Sequence, residues 1–219
     1  MDETRIKSKL PIAREGFPIL LSGCALTCLF SYLGFLSLSV VAGVFSLFTA
    51  YFFRDPDRNN TVPDKAVLTP ADGKIIKIQN IEDQNNPLGE PAVKISIFMS
   101  IFNVHVNRIP IEGTVKNIDY HPGKFFSANL DKASEQNESN RITLQAPDSR
   151  KIVFVQIAGL IARRIVCWVK DGDHMQTGQR FGLIRFGSRL DVYLPHDTRI
   201  TARLGQKVSA GINIIGYLS

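Results

Sequence analysis

The sequence predicts a mainly β fold: a β-rich domain with an N-terminal apolar helical hairpin. Three observations carry this. From Phe17 to Phe53 there is no Asp, Glu, Lys or Arg. After Arg54, short runs alternate apolar and polar residues, most clearly in AVKISIFMSIFNVHVNRIP, with the period-two pattern of strands. Gly, Pro and Asp cluster between these runs, as in PADG and KDGDHMQTGQ, where turns are expected.

Residues 1–16 are polar and carry Arg5, Lys7, Lys9 and Arg14. The charge-free stretch follows. One bilayer crossing takes about 20 apolar helical residues, so the stretch is long for one span and slightly short for two. The Ser31–Gly34 region is the expected turn between two short helices. Arg14 and Arg54 flank the stretch, and the positive-inside bias puts both ends in the cytoplasm. The segment is too long for a cleaved signal peptide, and no small-residue cleavage site stands out. The boundaries are therefore 1–54 for a membrane-associating segment and 55–219 for a globular domain.

Within that domain, KAVLTPADGKIIKI holds a short apolar run, a turn and an alternating strand. IEGTVKNIDYHPG, RITLQAPDSRKIVFVQIAG, ARRIVCWV, FGLIRF, RLDVYLP, RITARL and NIIGYL continue the series. The stretch 117–140 is the least regular, and SANLDKASEQNESN reads as an exposed loop. Helical periodicity is weak beyond Arg54, which leaves room for one or two short helices at most.

Net charge is +6 over 219 residues. A basic balance suits nucleic acid, an anionic membrane surface or an acidic small substrate. No Lys/Arg run is interleaved with aromatics, which argues against nucleic acid. Beside an apolar anchor, the charge fits an anionic lipid surface. Cys24, Cys28 and Cys167 form no paired framework, as expected in a reducing compartment. No Cys/His cluster has zinc spacing, so no metal is expected.

The segment GQRFGLIRFGSRLDVYLP carries the chemistry. A Gly-Ser bond between two strands is by itself an ordinary turn dipeptide. It is not a G-x-S-x-G elbow, because Leu190 stands two residues after Ser188. A strained Gly-Ser bond permits a different reaction. The Ser188 hydroxyl attacks the open carbonyl of Gly187, the amide becomes an ester, and β-elimination releases the upstream chain. The hydroxyl needs a base, commonly a His oriented by a carboxylate.

With PADG upstream and the HVNR segment between, FGSRLDVYLP resembles the phosphatidylserine decarboxylase family, and most closely its short bacterial form. YFFRDPDR, YHPGKFFSAN and QIAGLIARRIVCW share the resemblance, which runs from about Arg14 to Ser219. It implies a compact β-sandwich or barrel-sandwich-hybrid-like catalytic domain, and a precursor cut between Gly187 and Ser188 into a β chain, 1–187, and an α chain, 188–219. Ser188 would become a pyruvoyl group forming a Schiff base with the lipid's serine amine, with neither metal nor pyridoxal phosphate. Phosphatidylserine would lose CO2 to give phosphatidylethanolamine, and archaetidylserine shares the headgroup.

Asp72 of PADG matches the acidic member of the family's self-cleavage triad. Longer enzymes of the family carry an H-R-V-H element. This chain has His105 alone, with Arg108 where a second His would align. His105 is the first candidate base and His121 the second, ahead of His174 and His196. Candidate partners for the lipid phosphate are Arg108, His121, Lys124, Arg163 and Arg164. The family implies location at the cell membrane with the catalytic domain facing the cytoplasm, and a homodimer is a candidate state.

Two other classes compete. KDGDHMQTGQRFG also resembles the turns of lipoyl- and biotinyl-type domains, so a non-catalytic anchored adaptor is one. A serine hydrolase using Ser188 is the other. Both predict an intact chain.

Overall fold

The computed structural model describes residues 6, 10–58, 61–124, 126, 136–159, 164–185 and 187–219. The chain divides into two compact units, Ser8–Asp57 in one and Arg58–Ser219 with Met1–Lys7 in the other.

The smaller unit is the expected hairpin. Helix α1 spans Phe17–Tyr32 and α2 spans Leu36–Phe52. Pro18 stands in the first turn of α1, where a missing N–H costs nothing. Gly34, at φ +79°, supplies the left-handed residue that reverses the chain. The two helices approach through small and hydroxyl residues. A Cβ added at Gly23 would lie 2.4 Å from Ser46 Oγ. Ser39 Oγ donates to the Thr27 carbonyl at 3.0 Å. Leu21, Leu36, Val41 and Leu47 point outward and are exposed. Small and polar inside, apolar outside inverts a soluble helix pair and matches helices packed in lipid. With the preceding turn, α1 (Arg14–Tyr32) is long and apolar enough to cross a membrane, while α2 is shorter.

The larger unit contains β1 (Ala66–Leu68), β2 (Gly73–Ile81), β3 (Ala92–Met99), β4 (Val106–Arg108), β5 (Gly113–His121), β6 (Ser139–Gln145) and β7 (Lys151–Ala158). It continues with β8 (Ile165–Cys167), β9 (His174–Met175), β10 (Arg180–Ile184), β11 (Ser188–Pro195), β12 (Arg199–Ile200), β13 (Lys207–Val208) and β14 (Ile214–Tyr217). Eight strands form a curled antiparallel sheet in the order β13-β2-β3-β11-β7-β6-β5-β9. Two three-stranded sheets, β4-β10-β8 and β1-β14-β12, complete the unit.

Strand β11 is central. Ser188 pairs with Met99 of β3 on one side and with Ala158 of β7 on the other. Because side chains alternate, Ser188, Leu190 and Val192 share one face with Met99, Ile97 and Ile95. Arg189, Asp191 and Tyr193 occupy the opposite face with Phe98, Ser96 and Lys94. The β4-β10-β8 sheet covers the Ser188 face. Phe154 meets Phe181 there at 4.9 Å between ring centroids. Asn107 Nδ2 contacts Met99 Sδ at 3.6 Å. The two sheets enclose Ile75, Ile95, Ile97, Leu190 and Val192, all fully buried. Each such side chain contributes about 1.5–3 kcal/mol of apolar transfer energy.

Two local expectations change. The first residues of the irregular stretch, 117–121, are strand: β5 runs to His121, paired with β6. The turn KDGDHMQTGQ contains β9, which pairs with the start of β5. The expected loop residues 127–135 lie outside the described residues.

Candidate active site

Ser188 opens β11, directly after Gly187, whose φ is +67°. Glycine takes this left-handed conformation without the steric cost a Cβ brings. Ser188 is fully buried, and its hydroxyl has no hydrogen-bond partner among the described residues. A buried orphan hydroxyl costs about 1–3 kcal/mol, so such a group calls for an explanation.

The loop after β3 passes over this bond. Gly187 lies beside Ile101, whose Cγ2 is 4.0 Å from where a Cβ would sit. Ser100 donates from both its N–H and its hydroxyl to Asn103 Oδ1, at 2.9 and 2.8 Å, which stiffens the loop. His105, 2% exposed, leaves the loop just before β4. Its carbonyl accepts from Ile184 N at 3.3 Å, three residues before Gly187. His105 Nδ1 lies 3.0 Å from the Asn103 carbonyl. A carbonyl can only accept, so Nδ1 carries the proton and Nε2 is the basic nitrogen, buried in the interior.

Asp72 reaches the same end of the sheet by another route. Lys74 pairs with Phe98, which pairs with Arg189. Gly73 therefore stands level with Ser188 across β3, two strand spacings or about 10 Å away. A Cβ on Gly73 would lie 2.1 Å from the Phe98 carbonyl oxygen, so only glycine fits after Asp72. The carboxylate itself faces Arg58. Arg58 Nη1 and Nη2 bond its two oxygens at 2.5 and 2.9 Å, and Ala210 N donates to Oδ1 at 2.7 Å.

The candidate phosphate ligands separate. Arg164 is exposed, and its carbonyl accepts from Arg185 N at 3.2 Å, so it stands beside the β10–β11 turn. Arg108 is 4% exposed, and its Nη1 donates to the Gly178 carbonyl at 3.0 Å. His121 pairs with Ser139, which pairs with Ile157 and so with Arg189; it lies on the sheet face opposite Ser188. There it lines a polar cavity of about 620 Å³ with Lys77, Lys94, Arg141 and Tyr193. Lys124 is exposed, and Arg163 falls outside the described residues. No group of three His, Cys, Asp or Glu among the described residues is arranged to hold a metal.

A scan against family models matches residues 45–216 to phosphatidylserine decarboxylase. The chain belongs to the phosphatidylserine decarboxylase family. A protein of Syntrophus aciditrophicus (strain SB) is 50% identical over 208 residues, covering 94% of this chain and 96% of its own. One of Desulfotalea psychrophila is 49% identical over 215 residues, covering 97% and 99%. One of Magnetococcus marinus is 46% identical over 213 residues, covering 94% and 95%. All three carry the name phosphatidylserine decarboxylase proenzyme.

A member of this family that matures at Ser188 needs a free hydroxyl there, an open carbonyl before it and a base. The orphan Oγ and the glycine at φ +67° fit the first two needs; His105 Nε2 is buried but makes no hydrogen bond to Ser188 Oγ. Burial pushes the Cys167 thiol pKa up, away from the thiolate form.

Two constellations escaped sequence reasoning. One is Arg58. The other is a buried ion network on the face opposite Ser188. Arg189 Nε and Nη2 bond Asp191 at 2.6 and 2.9 Å, and Lys94 Nζ lies 3.0 Å from Asp191 Oδ2. Burial opposes the Asp191 charge, but the Arg189 bonds and charge and the Lys94 charge outweigh it, lowering its pKa. Burial likewise opposes the Lys94 charge, yet Asp191 raises its pKa. A charge-bearing RLD inside the apolar strand RLDVYLP was the available signal.

Proposed function

We propose that this chain is a self-cleaving, membrane-attached precursor whose mature form decarboxylates phosphatidylserine to phosphatidylethanolamine. The observation that carries the reading is the buried, unpartnered Ser188 hydroxyl directly after Gly187 at φ +67°, in a chain of this family.

Maturation uses only the chain's own atoms and water. His105 Nε2 takes the Ser188 hydroxyl proton, and Oγ adds to the Gly187 carbonyl carbon. The Gly187–Ser188 C–N bond breaks, the nitrogen gains a proton, and an ester replaces the amide. Loss of the Ser188 Cα proton then expels the Gly187 carboxylate and leaves dehydroalanine at position 188. Its imine tautomer takes up water and releases ammonia, which gives a pyruvoyl group. That group supplies a ketone electron sink for decarboxylating a primary amine substrate.

The surrounding residues have separable tasks. His105 serves as base in cleavage and as proton donor to the reacting carbon afterwards. Arg164, exposed beside the β10–β11 turn, is the best-situated cation for the lipid phosphate. The β4-β10-β8 sheet keeps water off the Ser188 face. Residues 1–54 are the anchor and 55–219 the catalytic domain, held on the cytoplasmic side by the basic flanks of the hairpin.

Intact mass of the purified chain tests the reading. Two fragments divided at 187/188, the smaller one blocked and hydrazine-reactive, support it, and a single full-length mass from active protein overturns it. Ser188→Ala stays full length. His105→Ala also stays full length; normal cleavage of that variant assigns the base elsewhere.

A further inference from the structure

We infer that Arg58 is a positioning residue for self-cleavage, acting through Asp72; this rests on the self-cleavage proposed above and on Asp72 serving it, the role that the family's triad implies.

The geometry is a closed ring of three residues far apart in sequence. Arg58 holds both Asp72 oxygens, at 2.5 and 2.9 Å. Its Nη1 also donates to the Ala210 carbonyl at 2.6 Å, while Ala210 N donates to Asp72 Oδ1 at 2.7 Å. The Arg58 and Asp72 side chains are 7% and 10% exposed. A surface ion pair is worth little, but a bidentate pair closed by two backbone groups and shielded from water is directional. It fixes where the Pro70–Gly73 turn sits.

That turn touches the reaction end of the sheet at two places. The Pro70 carbonyl accepts from Arg108 N at 2.9 Å, which holds β4, and β4 begins one residue after His105. Gly73 presses on the β3 backbone at Phe98, next to Met99, the partner of Ser188. A shift of Asp72 would therefore move the segments that carry both His105 and Ser188. The carboxylate is bonded to a guanidinium rather than seen on an imidazole, so Arg58 and Asp72 act as one clamp on the site.

The test follows cleavage of the full-length chain made by cell-free synthesis with phospholipid vesicles, by pulse–chase. Arg58→Ala should slow cleavage about 10²-fold, the size a 1 Å misplacement costs. Arg58→Lys should recover part of the rate. Arg58→Ala/Asp72→Asn should be no slower than the slower single variant, because the two residues act as a unit. Millimolar guanidinium should speed Arg58→Ala but not the double variant, a response that a general loss of folding would not give. Melting of each variant in a Ser188→Ala background separates loss of position from loss of fold. If Asp72→Asn stalls while Arg58→Ala matures at the parental rate, the role of Arg58 is refuted and that of Asp72 stands. If Asp72→Asn matures normally, the underlying reading of Asp72 falls. Additive single effects, or no response to guanidinium, also refute action through Asp72.

Discussion

Replacing Asp191 by Asn removes one charge from a buried group of three. Arg189 is 1% exposed and Asp191 fully buried, and Lys94 Nζ stands 3.0 Å from the same carboxylate. The amide keeps the shape but leaves two cations facing each other in the interior. Removing one partner of a buried pair costs about 3–5 kcal/mol. At about 2–4 °C per kcal/mol for a chain of this size, the melting temperature should fall by roughly 6–20 °C. The assay is thermal unfolding of the full chain in detergent, with Ser188→Ala throughout so that every sample is one covalent chain. A drop below about 2 °C would refute the reasoning, being far under the range above. A second arm tests charge against packing. Lys94→Met/Arg189→Met/Asp191→Leu should melt closer to the parent than Asp191→Asn does, because apolar replacement of a whole buried network is often neutral. If the triple variant melts as low as the single one, the loss is one of shape. The pH dependence has a definite sign. The lowered Asp191 pKa gives stability present above the unfolded value of about 3.9 and lost as pH falls through the folded value. The raised Lys94 pKa gives stability present below about 10.4 and lost as pH rises through its folded value. Between those limits this network adds no slope.

Gly73→Ala brings a Cβ to 2.1 Å from the Phe98 oxygen. It should cost about 1–3 kcal/mol or more and slow cleavage, read as melting temperature and fragment yield. Gln156→Leu cuts a buried amide chain in which Asn140 donates to Gln156 at 3.0 Å and Gln156 to Asn107 at 2.9 Å. Two orphaned groups should cost about 2–6 kcal/mol by denaturant titration, and a loss under 1 kcal/mol would contradict that.

The hairpin was legible because its signal is local: a charge-free stretch with Gly34 near its middle. The strands were legible from alternation, but their neighbours were not. Pairing β11 between β3 and β7 joins residues about 95 and 35 positions apart, which period-two patterning does not encode. Alternation by itself describes strands with one covered face, whereas β3 and β11 are covered on almost every residue. Lys94, Arg189 and Asp191 look like solvent positions in sequence, and they are buried with one carboxylate bridging two cations. Ser188 and Gly187 stand out in sequence because the chemistry proposed for them is written in two adjacent residues. His121 shows the limit of that approach, since only the register reveals that it faces away from Ser188. Arg58 had no local signature. In RDPDR it reads as one of several flanking charges, and only the folded turn at Asp72 selects it.

The central position of β11 has a consequence for molecularity. If the bond before Ser188 is cut as proposed, the strand belongs to a separate short polypeptide, 188–219, held between β3 and β7. Unfolding then turns one particle into two. Refolding becomes a second-order search for a partner strand, made by a fragment whose matching chain keeps open edges meanwhile. On that proposal, the uncut chain unfolds and refolds as one particle, while the lifetime of the cut form is set by how slowly its sheet first opens.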